Sequence, residues 1–273
     1  MQTIIKQNVA TALAEDIGTG DITSILIPVD QTVTATIMVR EPAIICGIEW
    51  ATETFNQVDE RTQLRWHVRD GEKVAANTIL CEITGFARSI LTAERTALNF
   101  LQTLSGTATL TARYVEKLQG TSTKLLDTRK TIPGLRHAQK YAVHCGGGYN
   151  HRIGLYDAYL IKENHIMSCG SIQAAVTAAR QQHPDKLLEV EVENLDELQQ
   201  ALSAGVSRIL LDNFDLTTLK QAVQFNQHRA ELETSGNIHL DNIDSVVATG
   251  VDYISVGSIT KHVQAIDMTL RLK

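Results

Sequence analysis

Six apolar runs in the second half of the chain each end on a residue able to do chemistry. The polar or special residues after these runs are Arg129 with Lys130, Lys162, Glu191, Asp212, the triplet Ser235, Gly236 and Asn237, and the pair Gly257 and Ser258. Guanidinium and ammonium groups bind carboxylates and phosphates through charge-assisted hydrogen bonds. Paired carboxylates can hold ribose hydroxyls or a hard divalent cation, which usually shares them with substrate phosphates. Small residues with free backbone N–H groups ahead of a helix, as in "TSGN" and "VGS", make a phosphate cradle. Between Asp127 and His165 lie six Lys or Arg (129, 130, 136, 140, 152, 162) against three acids (127, 157, 163), with four of the nine histidines, in a chain of net charge -6. Cations concentrated in an acidic protein point to an anion with several charges. Together these residues describe a site for a phosphorylated sugar and a second anion.

The elements that must position them follow from periodicity. From Thr123 onward strand-like segments ("TKLLDTR", "DAYLIKEN", "KLLEVEVE", "RILLDNF", "AELETSGN", "DYISVGS") alternate with amphipathic helices such as "SIQAAVTAARQQ", "LDELQQALSAG" and "TLKQAVQFNQ". Such alternation predicts a parallel sheet, here a β/α barrel, complete or incomplete, whose strand ends converge on one rim. Residues 21–85 instead run in short β-like pieces, "TVTATIMV", "PAIICGI", "TQLRWHV" and "TILCEITG", with Asp70-Gly71 as a hairpin signal. This predicts an antiparallel α+β sandwich domain. Residues 89–118 have helical spacing and bridge the halves, with a break expected at Ser105-Gly106. The expected organisation is an N-terminal α+β domain over 1–110 and an α/β barrel domain over 111–273, with a last helix able to pack back on the first domain.

Composition excludes several classes. The chain has 273 residues, 43% of them hydrophobic, enough for a substantial core. A pI near 5.8 argues against nucleic acid or an anionic membrane as partner. The start "MQTIIKQNVATALAEDIG" lacks an apolar leader core, and no stretch reaches the roughly 20 residues that span a bilayer, so a cytoplasmic location is expected. Cysteines 46, 81, 145 and 169 show no metal-ligand spacing and read as reduced, mostly buried thiols.

Each signal has a plainer competitor. A single strand-end lysine is more often solvated or ion-paired than catalytic, and the alternating acids Glu189 and Glu193 can simply face helices or solvent. Convergence carries the case, because six strand ends all bearing polar or glycine residues are far less expected by chance than one.

The segments "LLDTRKTIPGLRHAQKYAVHCGGGYNHRIGLYDAYLIKENHI", "EVEVENLDEL", "ILLDNF", "SGNI" and "ISVGSITKHVQAIDMTL", preceded by "EDIGTGDIT" and "ERTALNFLQTLSG", closely resemble the quinolinate phosphoribosyltransferase family over nearly the whole chain. "TRKTIPG" followed by "NHR" and "KEN" is the specific part of the match. The resemblance implies transfer of phosphoribose from 5-phosphoribosyl-1-pyrophosphate (PRPP) to quinolinate, with loss of pyrophosphate and CO2 to give nicotinate mononucleotide, and Mg²⁺ as cofactor. It assigns Arg95, Arg129, His151 and Arg152 to the quinolinate carboxylates, with Arg95 supplied by a neighbouring subunit of a homo-oligomer. It assigns Lys130 and Lys162 to the phosphates, Glu191 and Asp212 to ribose, metal and catalysis, and Ser235, Gly236, Asn237, Gly257 and Lys261 to the 5′-phosphate. Some members carry another small residue at the Asn237 position and a histidine at Lys261.

Two rival classes stand beside it, apart from a relative on the same scaffold acting on another anion. A Schiff-base aldolase would use Lys130 or Lys162 as its amine. A non-catalytic anion-binding protein would have no use for Glu191 and Asp212.

Overall fold

Valine, isoleucine and threonine crowd residues 32–39, and in the computed structural model, which describes residues 1–273, this stretch is strand β1 (Thr32–Val39). It follows helix α1 (Gln2–Ile17) and pairs antiparallel with both β5 (Ile79–Phe86) and the final strand, Met268–Leu272. β3 (Gln63–Trp66) completes this four-stranded sheet on the far side of β5, while β2 (Ala43–Ile44) and β4 (Lys73–Val74) form a separate pair. Helix α2 (Ile48–Val58) buries Ala51 and Phe55 in the same core as Ile37, Ile83 and Leu101. Asp70-Gly71 turns the chain between β3 and β4, which pair with other strands, so it is a loop turn and not the hairpin its dipeptide suggests.

Helix α3 (Ala87–Lys117) runs unbroken through Ser105-Gly106. The expected break is absent because the glycine serves close packing. A Cβ on Gly106 would overlap the carbonyl of Gln264 and lie 3.5 Å from Ala265 Cα, and the neighbouring Ile266 N–H donates to Gln102 O at 3.1 Å. Gly106→Val is therefore expected to cost roughly 1–3 kcal/mol or more, by forcing this segment off the helix. A lower midpoint in urea unfolding would register it.

Two units emerge from the contacts: residues 1–112, 131–147 and 259–273 form one, residues 113–130 and 148–258 the other. Segments 131–147 and 259–273, expected with the barrel, thus group with the first unit. Helix α4 (Arg136–Cys145) buries Ala138 and Ala142 against Ile5, Val9, Trp50 and Leu104. The C-terminal segment, expected as a helix, is the strand that hydrogen-bonds to β1, with Ala35 opposite Leu272 and Val39 opposite Met268.

The second unit is a six-stranded parallel sheet in the order β6 (Lys124–Leu126), β11 (Tyr253–Ser255), β10 (Glu231–Ser235), β9 (Arg208–Asp212), β8 (Leu187–Val192), β7 (Ala158–Ile161). Beyond β6 the ladder is extended by one parallel bridge between Leu126 and Tyr149, the incomplete barrel that alternating strands and helices predict. Helices α5 (Glu163–Cys169), α6 (Ile172–Gln182), α7 (Leu195–Ser203), α8 (Leu216–Asn226) and α9 (Ile243–Val247) lie between its strands. Ser171, Asn194 and Asp215 cap α6, α7 and α8, each side-chain oxygen accepting a backbone N–H three residues on. No helix is long and apolar enough to cross a membrane. All four cysteines are free; Cys46 and Cys81 are buried, Cys145 is half-buried and Cys169 is exposed.

Candidate active site

Period-two alternation builds the site. Along β8, Val190 and Val192 point one way into apolar packing, and Glu189 and Glu191 point the other. On β9 the same inner face carries Arg208 and Asp212, and on β10 Glu233 and Ser235. Asp212 stands opposite Ser235 in register, and the Ser235 hydroxyl donates to Asp212 Oδ1 at 2.6 Å. Asn213, in the left-handed region at φ 56°, turns its side chain back to donate to Asp212 Oδ2 at 2.9 Å. Its carboxamide occupies the space a Cβ on Gly236 would need, and Gly236 itself has φ +101°, so only glycine fits there. Asp212 is thereby a carboxylate with both oxygens oriented by donors.

Cations face these acids. Lys162 forms an ion pair with Glu191, the reverse of the apolar pocket an imine-forming lysine needs. Arg152 is half-buried, and burial together with the nearby positive charge of Arg129 lowers its guanidinium pKa. Two guanidiniums held close enough to repel are preorganised for an anion that both can share. Lys130 lies against the end of β11, where a Cβ on Gly257 would come within 2.9 Å of its Cδ.

Below the rim lies a charged layer that the sequence did not reveal. Glu189, expected to face helices or solvent, is 1% exposed, and so is Glu233. Arg208 Nη2 donates to Glu233 Oε2 at 2.7 Å, and its Nε lies 3.3 Å from Glu189 Oε1. Tyr253 covers the guanidinium at 4.1 Å from the ring centre. His151 closes the layer with Nε2 at 2.8 Å from Glu189 Oε2 and 3.6 Å from Glu233 Oε2. The ligand atoms of His151, Glu189 and Glu233 lie within 4.8 Å of one another, but the cation already among them is Arg208. The available signal was acids at every second residue in "EVEVE" and "ELE": on a strand covered on both faces, one set must point into the sheet's interior. Glu193, at the end of "EVEVE", is exposed as expected.

Burial and the charge of Glu189 push the Glu233 carboxyl up to about 7. A group with a raised folded pKa takes up a proton on folding, so its contribution is full below the unfolded value near 4.5 and is lost as pH rises through about 7. Glu233→Gln mimics the protonated acid. It is expected to match the unmodified protein in stability at pH 4 and to exceed it by roughly 1–3 kcal/mol at pH 8.5, read from urea midpoints at the two pH values.

Of the residues singled out from sequence, Arg129, Lys130, His151, Arg152, Lys162, Glu191, Asp212, Ser235, Gly236, Asn237 and Gly257 all fall in the parallel-sheet unit. Asn237 is exposed at φ 49° just beyond Gly236. Arg95, exposed on α3, and Lys261, exposed at the end of the short helix Ser258–Lys261, belong to the other unit. The sheet rim is suited to an anionic substrate bearing both hydroxyl and phosphate groups.

Residues 21–105 match the N-terminal domain, and residues 107–271 the C-terminal domain, of quinolinate phosphoribosyl transferase. The nicotinate-nucleotide pyrophosphorylase (carboxylating) of Mycobacterium leprae is 40% identical over 274 residues, covering 98% of this chain and 96% of its own. The chloroplastic enzyme of that name from Arabidopsis thaliana is 38% identical over 289 residues, covering 98% and 82%. The solved structure of the nicotinate-nucleotide pyrophosphorylase from Francisella tularensis is 53% identical and superimposes with a TM-score of 0.98, covering 100% of this chain and 97% of that one. The chain belongs to the quinolinate phosphoribosyl transferase family.

Proposed function

We propose that this chain joins quinolinate to PRPP, releasing pyrophosphate and CO2 and yielding nicotinate mononucleotide, the reaction of the relatives it matches over nearly its whole length. The observation that carries this is the rim that presents Lys162 paired with Glu191, Asp212 oriented by Ser235, and the half-buried Arg152 with Arg129 nearby. Arg129 and Arg152 take the quinolinate carboxylates. Lys130 and Lys162 meet the phosphate and pyrophosphate oxygens of PRPP, Lys162 exchanging its partner Glu191 for substrate. Glu191 and Asp212 accept the ribose hydroxyls, and their charge favours the oxocarbenium-like character that develops at the anomeric carbon. Ser235, Gly236, Asn237 and Gly257 receive the 5′-phosphate. Once the ring nitrogen is bonded to ribose it accepts the electrons left by departing CO2, so decarboxylation requires no separate base.

Glu191 and Asp212 sit on adjacent strands with their oxygens on one face, a hard-oxygen pair suited to Mg²⁺ that also binds substrate phosphates. When bound, the ion supplies neutralisation of the pyrophosphate leaving group. The assay is pyrophosphate release with quinolinate, PRPP and Mg²⁺; no release above the PRPP-only background would overturn the assignment.

The enzyme works in the cytoplasm, consistent with four free cysteines, as a homo-oligomer whose sites are completed by Arg95 of a second copy. In support, Arg95 is exposed, and so are the apolar side chains Ile22, Leu26, Leu155 and Tyr156, at 82%, 81%, 75% and 70%, which an interface between copies would cover. Mixing Arg95→Ala with Lys162→Ala is expected to restore part of the activity that each lacks alone. Absence of recovery once subunit exchange is demonstrated would show that sites are not shared.

A further inference from the structure

We propose that Glu189, Arg208 and Glu233 are positioning residues that fix His151, and through it Arg152, in the orientation that receives a substrate carboxylate; this rests on the quinolinate assignment above. The geometry is a chain of contacts from the sheet interior to the rim. Both nitrogens of the His151 ring face the protein: Nε2 meets Glu189 at 2.8 Å, and Nδ1 accepts the backbone N–H of Arg152 at 2.7 Å. A nitrogen that accepts an amide proton carries none, so Nε2 holds the ring proton and donates it to the carboxylate. The His151 backbone N–H in turn donates to Asp127 Oδ1 at 2.8 Å, and Asp127 is fully buried. The loop carrying "NHR" is thus pinned at successive atoms, and the Arg152 guanidinium leaves it from a fixed backbone.

A purely structural role explains this layer poorly. Barrel interiors are filled by branched apolar side chains, and a buried ion cluster replaced whole by apolar residues is often no less stable. Glu189 Oε1 and Arg208 Nε meet only as an ion pair at 3.3 Å, and Glu233 Oε1 accepts no hydrogen bond, so the layer is retained although it is incompletely satisfied. Beside the Arg208–Glu233 bond, what it satisfies is the one proton of His151. His151 therefore acts on the orientation of Arg152 through the backbone it holds.

The test uses Glu189→Gln, which keeps an acceptor for Nε2–H, and the double variant Glu189→Leu/Arg208→Leu, which removes one negative and one positive charge together so that the net charge of the layer is unchanged. Two readouts are taken on the full-length protein: the 15N shifts of the His151 ring without substrate, and separate KM values for quinolinate and PRPP. The double variant is expected to lose the fixed Nε2–H tautomer and to raise KM for quinolinate roughly 10- to 100-fold, the scale of a misplaced binding group, with KM for PRPP within about twofold. Glu189→Gln is expected to restore most of the tautomer and of the quinolinate KM. Equal rises in both KM values would mean general loosening of the fold and overturn the proposal, as would an unchanged His151 spectrum in the double variant. An unmodified protein that does not turn over quinolinate would sink the functional assignment instead, while the tautomer measurement would still decide whether the layer holds His151.

Discussion

Nicotinate is expected to be used two to four orders of magnitude less efficiently than quinolinate, measured as kcat/KM with saturating PRPP. Quinolinate carries a carboxylate beside the ring nitrogen that nicotinate lacks. In the free protein burial and the nearby positive charge of Arg129 lower the pKa of the half-buried Arg152 guanidinium. A second carboxylate relieves that repulsion; its absence leaves it in place. Each charge-assisted hydrogen bond contributes on the order of 1.5–3 kcal/mol, and stranding a buried polar group costs a similar amount. With about 1.4 kcal/mol per factor of ten, two lost bonds reach the stated range. Arg152→Ala should lose most of the activity and most of the discrimination. Comparable kcat/KM for the two acids in the unmodified protein would leave the guanidinium pair without this purpose.

The strand ends were legible because they depend on local rules. A parallel strand must stop where its apolar run stops, and its first polar residue then stands on the rim, so Lys162, Asp212 and Ser235 follow from position alone. What could not be read this way depends on registers between distant strands. That Ser235 would be opposite Asp212, or Arg208 opposite Glu189, is set by how β8, β9 and β10 align, and no local pattern encodes it. Gly106 shows the converse limit. In isolation it reads as a helix breaker, yet α3 continues because the chain near Gln264, more than 150 residues away, packs where a side chain would be. The unit division failed to be local for the same reason: the partner of β1 is the last strand of the chain.

Glu191→Gln and Asp212→Asn are expected to lower kcat by roughly 100- to 1,000-fold, the loss seen when one preorganised electrostatic group is removed from a transition state, while KM for quinolinate changes little. Glu191 is held by Lys162 before substrate arrives, so its charge is in place without reorganisation. Asp212 is fixed more tightly, with the Ser235 hydroxyl on one oxygen and the Asn213 amide on the other. Asparagine there must present an NH2 group to one of two donors, so Asp212→Asn removes the charge and also turns the side chain. Ser235→Ala keeps the charge and loses one orienting bond, and its deficit should be smaller, near tenfold or less, corresponding to roughly 1 kcal/mol. The order in kcat, Asp212→Asn lowest, then Ser235→Ala, then the unmodified protein, separates charge at the anomeric carbon from simple ligand contact. A Glu191→Gln enzyme with native kcat and a defect confined to quinolinate KM would remove that carboxylate from the chemistry and return it to binding.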